Sequence, residues 1–131
     1  MKKLCVLGAL LAGLTVSSAP ASAREPVTIR LHYSHFEPSV VTVPAGVQVT
    51  ITLRNDDPID HEWIVGPADV HEIHRHGTEA VHAGRPTEVT VPALSTRSTT
   101  ITFNDPGEYA YTCHLPGHEE YGMKGVLIAR S

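Results

Sequence analysis

Short stretches in which apolar and polar residues alternate recur along most of this chain, separated by turns of Pro, Gly and Asp. Successive side chains of a strand point to opposite faces, so this alternation predicts half-buried strands and not helices. The predicted strands span residues 27–31, 41–43, 47–53, 61–65, 88–91, 98–103, 108–113 and 124–130. Seven or eight short strands in one domain indicate an all-β fold, a Greek-key β-sandwich of two sheets.

One long connection, residues 67–87, breaks this rhythm and is rich in histidine. Connections longer than about 12–15 residues are uncommon in compact domains unless they are functional or partly structured. We therefore expect a short helix over residues 70–76 within this connection.

The first 23 residues are typical of a secretory signal peptide. Lys2 and Lys3 precede an apolar run over residues 4–16, and the small residues of Ala21-Ser22-Ala23 end the segment. That run is shorter than the roughly 20 residues that a membrane-spanning helix needs, so we expect cleavage after Ala23 and no membrane span. Residues 24–131 then form a single exported domain, periplasmic or secreted, which we expect to be a monomer.

The charge of the chain disfavours one class of partner. The net charge is −4, and without residues 1–23 it becomes −6, with eight Lys and Arg against fourteen Asp and Glu. Binding to nucleic acid depends on neutralising phosphates with cationic side chains. The negative balance therefore disfavours a nucleic-acid partner.

Cysteine usage is more informative than charge. Cys5 leaves with the signal peptide, so Cys113 is the single thiol of the exported domain and has no partner for an internal disulfide. A lone thiol in an oxidising compartment binds metal, performs catalysis, pairs with another chain or is buried as an inert residue. His118 and Met123 follow Cys113 with four residues in each gap. A thiolate, an imidazole and a thioether together favour copper, whereas structural zinc sites do not use thioether.

Strand alternation predicts how these donors meet. Cys113 ends a predicted strand on the inward face that it shares with Tyr111, and the following Pro116-Gly117 turn lets His118 return to the same point. A second imidazole is needed, and we assign it to His61, which begins the strand that carries Trp63. The predicted metal ligands are thus His61, Cys113, His118 and Met123.

Several local motifs occur in an order that resembles a known family. Phe36-Glu37-Pro38, Val43-Pro44-Ala45-Gly46, Asn55 ahead of His61, and the run from Gly107 to Cys113 are similar to the plastocyanin and azurin family of cupredoxins, the small blue copper proteins. The resemblance implies one copper ion that cycles between Cu(I) and Cu(II). It also implies that His61, Cys113 and His118 are equatorial ligands and that Met123 is the axial one.

Two residues depart from the pattern of that family. Glu62 follows the first His ligand, where plastocyanin and azurin usually have an Asn that ties the two ligand segments together. His114 follows the thiol directly. Its side chain alternates away from Cys113, so we expect it outside the ligand set and exposed near the point where electrons leave.

The leading functional hypothesis is an electron carrier that turns over no substrate. Redox partner proteins would dock near the edge of His118, where Glu119 and Glu120 could orient a basic partner.

A second hypothesis is copper storage or delivery. His71, His74, His76 and His82 crowd the long connection and are candidates for a second copper site. The alternative for these histidines is a solvated polar loop.

A third hypothesis is catalysis, because Cys113-His114 also resembles the last motif of multicopper oxidases. Their three-copper cluster needs several His-x-His pairs from more than one domain, and this chain offers only His74-Arg75-His76. We therefore expect that the protein is not an enzyme.

Overall fold

The computed structural model describes residues 26–78 and 84–131, which form a two-sheet β-sandwich. The predicted signal peptide and His82 lie outside the described residues. The elements are β1 (Val27–His32), β2 (His35–Glu37), β3 (Val40–Pro44), β4 (Gln48–Asn55), β5 (His61–Gly66), α1 (Ala68–His76), β6 (Glu88–Val91), β7 (Thr96–Thr102), β8 (Gly107–Thr112), α2 (His118–Tyr121) and β9 (Lys124–Arg130). The predicted all-β sandwich is confirmed.

The two sheets combine parallel and antiparallel pairs. One sheet has the order β2-β1-β4-β7 and the other has the order β3-β9-β8-β5-β6. The pairs β1–β4 and β3–β9 are parallel, and the remaining pairs are antiparallel. Strands β5 and β8 are neighbours, so the end of β8 and the start of β5 lie in one sheet.

The core fills the space between the sheets, and alternation decides which side chains enter it. In β4 the buried residues Val49, Ile51 and Leu53 alternate with more exposed neighbours, as period-two packing requires. Strand β5 differs, because all six of its residues are buried. The helix α1 packs beside β5 and covers the face that alternation alone would leave to solvent.

The helix predicted over residues 70–76 is confirmed and is slightly longer, Ala68–His76. It begins after Pro67, whose missing N–H costs nothing at a helix start. It ends at Gly77, which has a left-handed φ of 58° and donates its N–H to the His74 carbonyl. The helix can approach β5 closely because Gly66 has no side chain, and a Cβ there would lie 3.3 Å from Val70.

The structure adds one strand to the eight predicted. β2 has only three residues, His35–Glu37, and pairs with β1 through the register Leu31 to Phe36. Three residues are too few for alternation to be recognised in a sequence. Phe36 nevertheless belongs to the core, where its ring packs edge-on against Tyr111 with 5.1 Å between ring centroids.

Candidate metal centre

Three of the four predicted ligands bring their donor atoms together at one end of the sandwich. The Nδ1 atoms of His61 and His118 are 3.2 Å apart, and Cys113 Sγ lies 3.2 Å from His118 Nδ1. The three donor atoms all lie within 4.8 Å of one another. His61 and Cys113 are fully buried, whereas His118 is partly exposed, so His118 is the member of the group that is nearest to solvent.

Neighbouring strands and one short loop position this group. His61 is the first residue of β5, and Cys113 comes directly after Thr112, the last residue of β8. His118 begins the short helix α2, and Gly122, at a left-handed φ of 108°, turns the chain back toward β9.

Met123 is linked to the other predicted ligands by backbone hydrogen bonds. Its N–H donates to the His118 carbonyl at 3.0 Å, and its carbonyl accepts the Cys113 N–H at 3.1 Å. Its side chain is fully buried in the core. The loop thus holds the positions of Cys113, His118 and Met123 relative to one another by main-chain hydrogen bonds.

The surroundings of Cys113 favour the neutral thiol in the absence of a metal ion. Burial raises the pKa of Cys113 to about 11, although the amides of Glu62 and Leu115 act to lower it. A thiol with so high a pKa becomes a thiolate near neutral pH only if a positive ion takes the place of its proton. Two imidazoles, one thiolate and a buried thioether are the donor set that suits copper, so the residues present fit that ion.

The backbone of Glu62 supplies a contact to this thiol. Its N–H donates to Cys113 Sγ at 3.3 Å, and the residue is 5% exposed. The two ligand segments are therefore joined through a main-chain donor, which any residue except proline can provide. Replacement of the usual Asn by Glu62 leaves this link in place.

Sequence reasoning missed Asp57, which contacts His61 directly. Its Oδ2 accepts a hydrogen bond from His61 Nε2 at 2.8 Å, and the amides of Tyr33 and Ser34 also donate to the carboxylate. Burial acts to raise the pKa of Asp57, but the Ser34, His61 and Tyr33 donors hold it below its ordinary value. The available signal was a carboxylate four residues before a proposed histidine ligand, since such ligands usually donate their other nitrogen to an acceptor.

Of the four histidines proposed as a second copper site, the three that the structure describes do not bring their ring nitrogens together. His71 and His74 are buried on α1, whereas the His76 side chain is 66% exposed and pairs with Glu72. In residues 26–78 and 84–131, the group of His61, Cys113 and His118 is the one set of three such donors that meets. The alternative of a solvated loop does not describe His71 and His74, because both are buried on α1.

His114 is buried, contrary to the expectation that it would be exposed. Only 3% of its side chain is accessible, because α1 covers it. Its Nε2 lies 2.9 Å from His71 Nδ1, and His71 Nε2 lies 3.1 Å from the Ala110 carbonyl. A carbonyl only accepts, so His71 carries its proton on Nε2 and His114 donates from Nε2 to His71. Burial lowers the pKa of both imidazoles.

A second contact joins α1 to residues 113–123, which carry three of the predicted ligands and are called the ligand loop below. The guanidinium of Arg75 binds both carboxylate oxygens of Glu119, with Nη2 to Oε1 at 2.8 Å and Nε to Oε2 at 3.0 Å. Glu119 is the residue after His118, and the Arg75 hydrogen bond holds its pKa below the ordinary value. Its charge is therefore already paired within the chain, and Glu120 is the exposed acid of the two.

A comparison with known protein families agrees with both the fold and this centre. Residues 3–129 match the cupredoxin-like domain family. The chain belongs to that family. The predicted resemblance to cupredoxins is confirmed, and the converged His–Cys–His group confirms a copper centre of the cupredoxin kind.

Relatives of this cupredoxin include two proteins named copper-resistant cuproprotein CopI. The one from Rubrivivax gelatinosus is 29% identical over 116 residues, which cover 83% of this chain and 70% of that protein. The one from Pseudomonas aeruginosa is 25% identical over 142 residues, which cover 84% of this chain and 78% of that protein.

Solved structures of auracyanins are similar in fold. Auracyanin A of Chloroflexus aurantiacus, described as a blue copper protein, is 29% identical with a TM-score of 0.63, and the match covers 81% of this chain and all of that one. The reduced auracyanin of Roseiflexus castenholzii is 22% identical with a TM-score of 0.68, covering 84% of this chain and all of that one. Among the residues that the structure describes, no helix has the length and apolar character needed to cross a membrane.

Proposed function

We propose that this cupredoxin holds one copper ion through His61, Cys113, His118 and Met123 and carries single electrons between redox partner proteins. The observation that carries the proposal is the convergence of two imidazole Nδ1 atoms and one thiol sulfur at the end of a β-sandwich. Bound copper would supply a one-electron couple. The protein would turn over no substrate of its own.

The contributions of the protein residues to this function are rigidity and access. The backbone hydrogen bonds that link Cys113, His118 and Met123 keep the donors in place, so little rearrangement accompanies a change in the charge of the ion. His118 is the partly exposed ligand, and the adjacent Pro116 and Gly117 are exposed. We propose this surface as the contact for redox partners, with the protein acting as a monomer.

Addition of Cu(II) to residues 24–131 tests the ligand set. We expect one ion per chain and an intense visible band from the thiolate-to-copper transition. His118→Gly and Cys113→Ser should each abolish that band, because each removes one of the converging donor atoms. His76→Ala is the matched control, since His76 is exposed on α1 and should leave the band unchanged. An undiminished band in Cys113→Ser would refute the assignment.

Copper resistance through storage or delivery is the second candidate function. It is favoured by the two CopI relatives, whose name describes them as copper-resistant cuproproteins. Copper stoichiometry and exchange distinguish the two functions. A single ion that a chelator removes slowly supports the electron carrier, whereas several rapidly exchanging ions support delivery.

We also propose that the protein is exported and that residues 1–23 are removed after Ala23. The support is the charged, apolar and small-residue order of that segment. Expression of the full chain in a bacterial host and mass spectrometry of the periplasmic fraction test this proposal. A product that retains residues 1–23 would contradict it.

A further inference from the structure

Asp57 is a buried carboxylate that joins a metal ligand to the protein framework. Its side chain is 8% exposed, and its two oxygens accept three hydrogen bonds of 2.8 Å. Oδ1 accepts the Tyr33 N–H, and Oδ2 accepts both the Ser34 N–H and His61 Nε2. The carboxylate is thus held from two sides, by a turn between strands and by the imidazole.

Neighbouring backbone N–H groups and the Asn55 side chain fix the position of this carboxylate. Tyr33 and Ser34 have left-handed φ values of 51° and 55°, which non-glycine residues adopt rarely, and in that conformation both N–H groups reach Asp57. The Asp57 N–H donates to Asn55 Oδ1 at 2.9 Å, and Asn55 Nδ2 donates to the carbonyls of Ile59 and Val91. Asp57 therefore has little freedom to move away from His61.

The contact with Asp57 decides which nitrogen of His61 is available to a metal. An ionised carboxylate only accepts hydrogen bonds, so the proton of the neutral imidazole lies on Nε2. Nδ1 then presents a lone pair, and this is the atom that lies 3.2 Å from His118 Nδ1 and within 4.8 Å of the other donors. The correct tautomer and ring orientation exist before any ion enters the site.

The same contact places a negative charge behind the ligand. His61 is fully buried and Asp57 is nearly so, so solvent screens their interaction weakly. A negative charge that reaches a metal through its ligand stabilises the more positive oxidation state. It also raises the basicity of the ligating nitrogen.

We propose that Asp57 is a positioning residue that selects the Nδ1-binding tautomer of His61 and lowers the reduction potential of the bound copper. This inference rests on the proposed copper function. Asp57 acts through His61 and does not contact the ion.

Two variants separate the two effects. Asp57→Asn can keep an oxygen acceptor for His61 Nε2 while it removes the charge, and Asp57→Ala removes both. The matched control is Asp56→Asn, which deletes the same charge at the adjacent position, where the carboxylate pairs with Arg30 and Arg54 instead of a ligand.

The measurements are the midpoint potential of the copper protein and the affinity for Co(II), a metal that needs no redox change. We expect both Asp57 variants to have a higher potential than wild type and Asp57→Ala to bind Co(II) about 10–100-fold more weakly. Asp56→Asn should shift neither quantity appreciably. A wild-type potential and affinity in folded Asp57→Asn and Asp57→Ala would overturn the proposal, as would equal shifts in Asp56→Asn.

A measurement without copper keeps the tautomer part testable if the variants fail to fold or the copper function fails. Nitrogen-15 NMR of the metal-free wild-type protein should show that the neutral His61 imidazole carries its proton on Nε2. A proton on Nδ1 alone would overturn tautomer selection, even in a protein that binds copper normally. If His61 has the expected tautomer but the protein with added copper lacks the thiolate-to-copper band, only the copper function is refuted.

Discussion

The Arg75–Glu119 contact allows a quantitative prediction about the stability of the ligand loop. Arg75 binds Glu119 in bidentate geometry, and their side chains are 43% and 18% exposed. Exposed ion pairs contribute about 0.2–1 kcal/mol to folding. The Arg75–Glu119 pair should contribute near the upper end of that range, because its geometry is bidentate and Glu119 is mostly buried. We therefore expect a coupling free energy of about 1 kcal/mol, or roughly a fivefold change in the unfolding equilibrium constant.

A double-mutant cycle measures this coupling. Urea unfolding of the metal-free wild type, Arg75→Met, Glu119→Gln and the double variant gives the pairwise term as the deviation from additivity. The matched control is the cycle of Arg75 with Glu72, an exposed partner on the same helix whose side chain is 61% accessible. That pair should couple more weakly than Arg75 and Glu119, because solvent screens it more strongly.

The same variants test whether the stability of the ligand loop controls the release of copper. Glu119 follows His118, so loss of the contact with α1 should let the ligand loop open more often. We expect chelators to remove copper from Arg75→Met up to about five times faster than from wild type, in proportion to the lost coupling. Equal coupling in the two cycles, or unchanged copper release in spite of a 1 kcal/mol coupling, would refute the reasoning.

Three further predictions concern packing, pH and the loop that carries Asp57. Gly125→Ala should lower the free energy of unfolding by about 2–4 kcal/mol in urea titrations, because a Cβ there collides with the Tyr111 ring and the Ser39 carbonyl. A loss below about 0.5 kcal/mol would contradict this. Burial lowers the pKa of His71 in the folded state, so the unfolded state binds the proton more readily and stability should fall as pH drops below about 6.5. The slope contributed by this one residue is at most about 1.4 kcal/mol per pH unit. His71→Gln should have a flatter acid limb in urea unfolding from pH 7.5 to 5, and an unchanged limb would count against the burial argument. Asn55→Ala should cost about 2–4 kcal/mol in the same assay, since its side-chain amide loses four hydrogen bonds, two of them buried and two partly buried. Thr52→Ala, at a partly exposed position, should cost less than about 1 kcal/mol.

Much of the fold was predictable because alternation reports burial directly. Strands such as β4, with Val49, Ile51 and Leu53 on one face, follow the period-two pattern closely. The ligands were predictable for a related reason. Thiol, imidazole and thioether occur rarely together at short spacing, so His118 and Met123 near Cys113 stand out against the background.

The contacts that the sequence did not predict have one feature in common. Each involves a polar residue that is buried by residues far away in the chain. Asp57 would ordinarily lie in a solvated turn, yet the backbone of residues more than 20 positions earlier covers it. His114 is buried because α1, some 40 residues earlier, lies over it. The local pattern of apolar and polar residues does not indicate which distant residues will be in contact. A polar residue is therefore assigned to the surface by default.

The depth of Cys113 has a consequence for the protein before it receives its ion. With the thiol at 0% accessible surface and a pKa of about 11, the reactive sulfur anion is scarce and neither peroxide nor a foreign disulfide reaches it easily. We therefore expect the metal-free protein to resist formation of sulfenic acid and cross-linking to a neighbour. Burial thus protects the sulfur from chemical damage before the ion is bound.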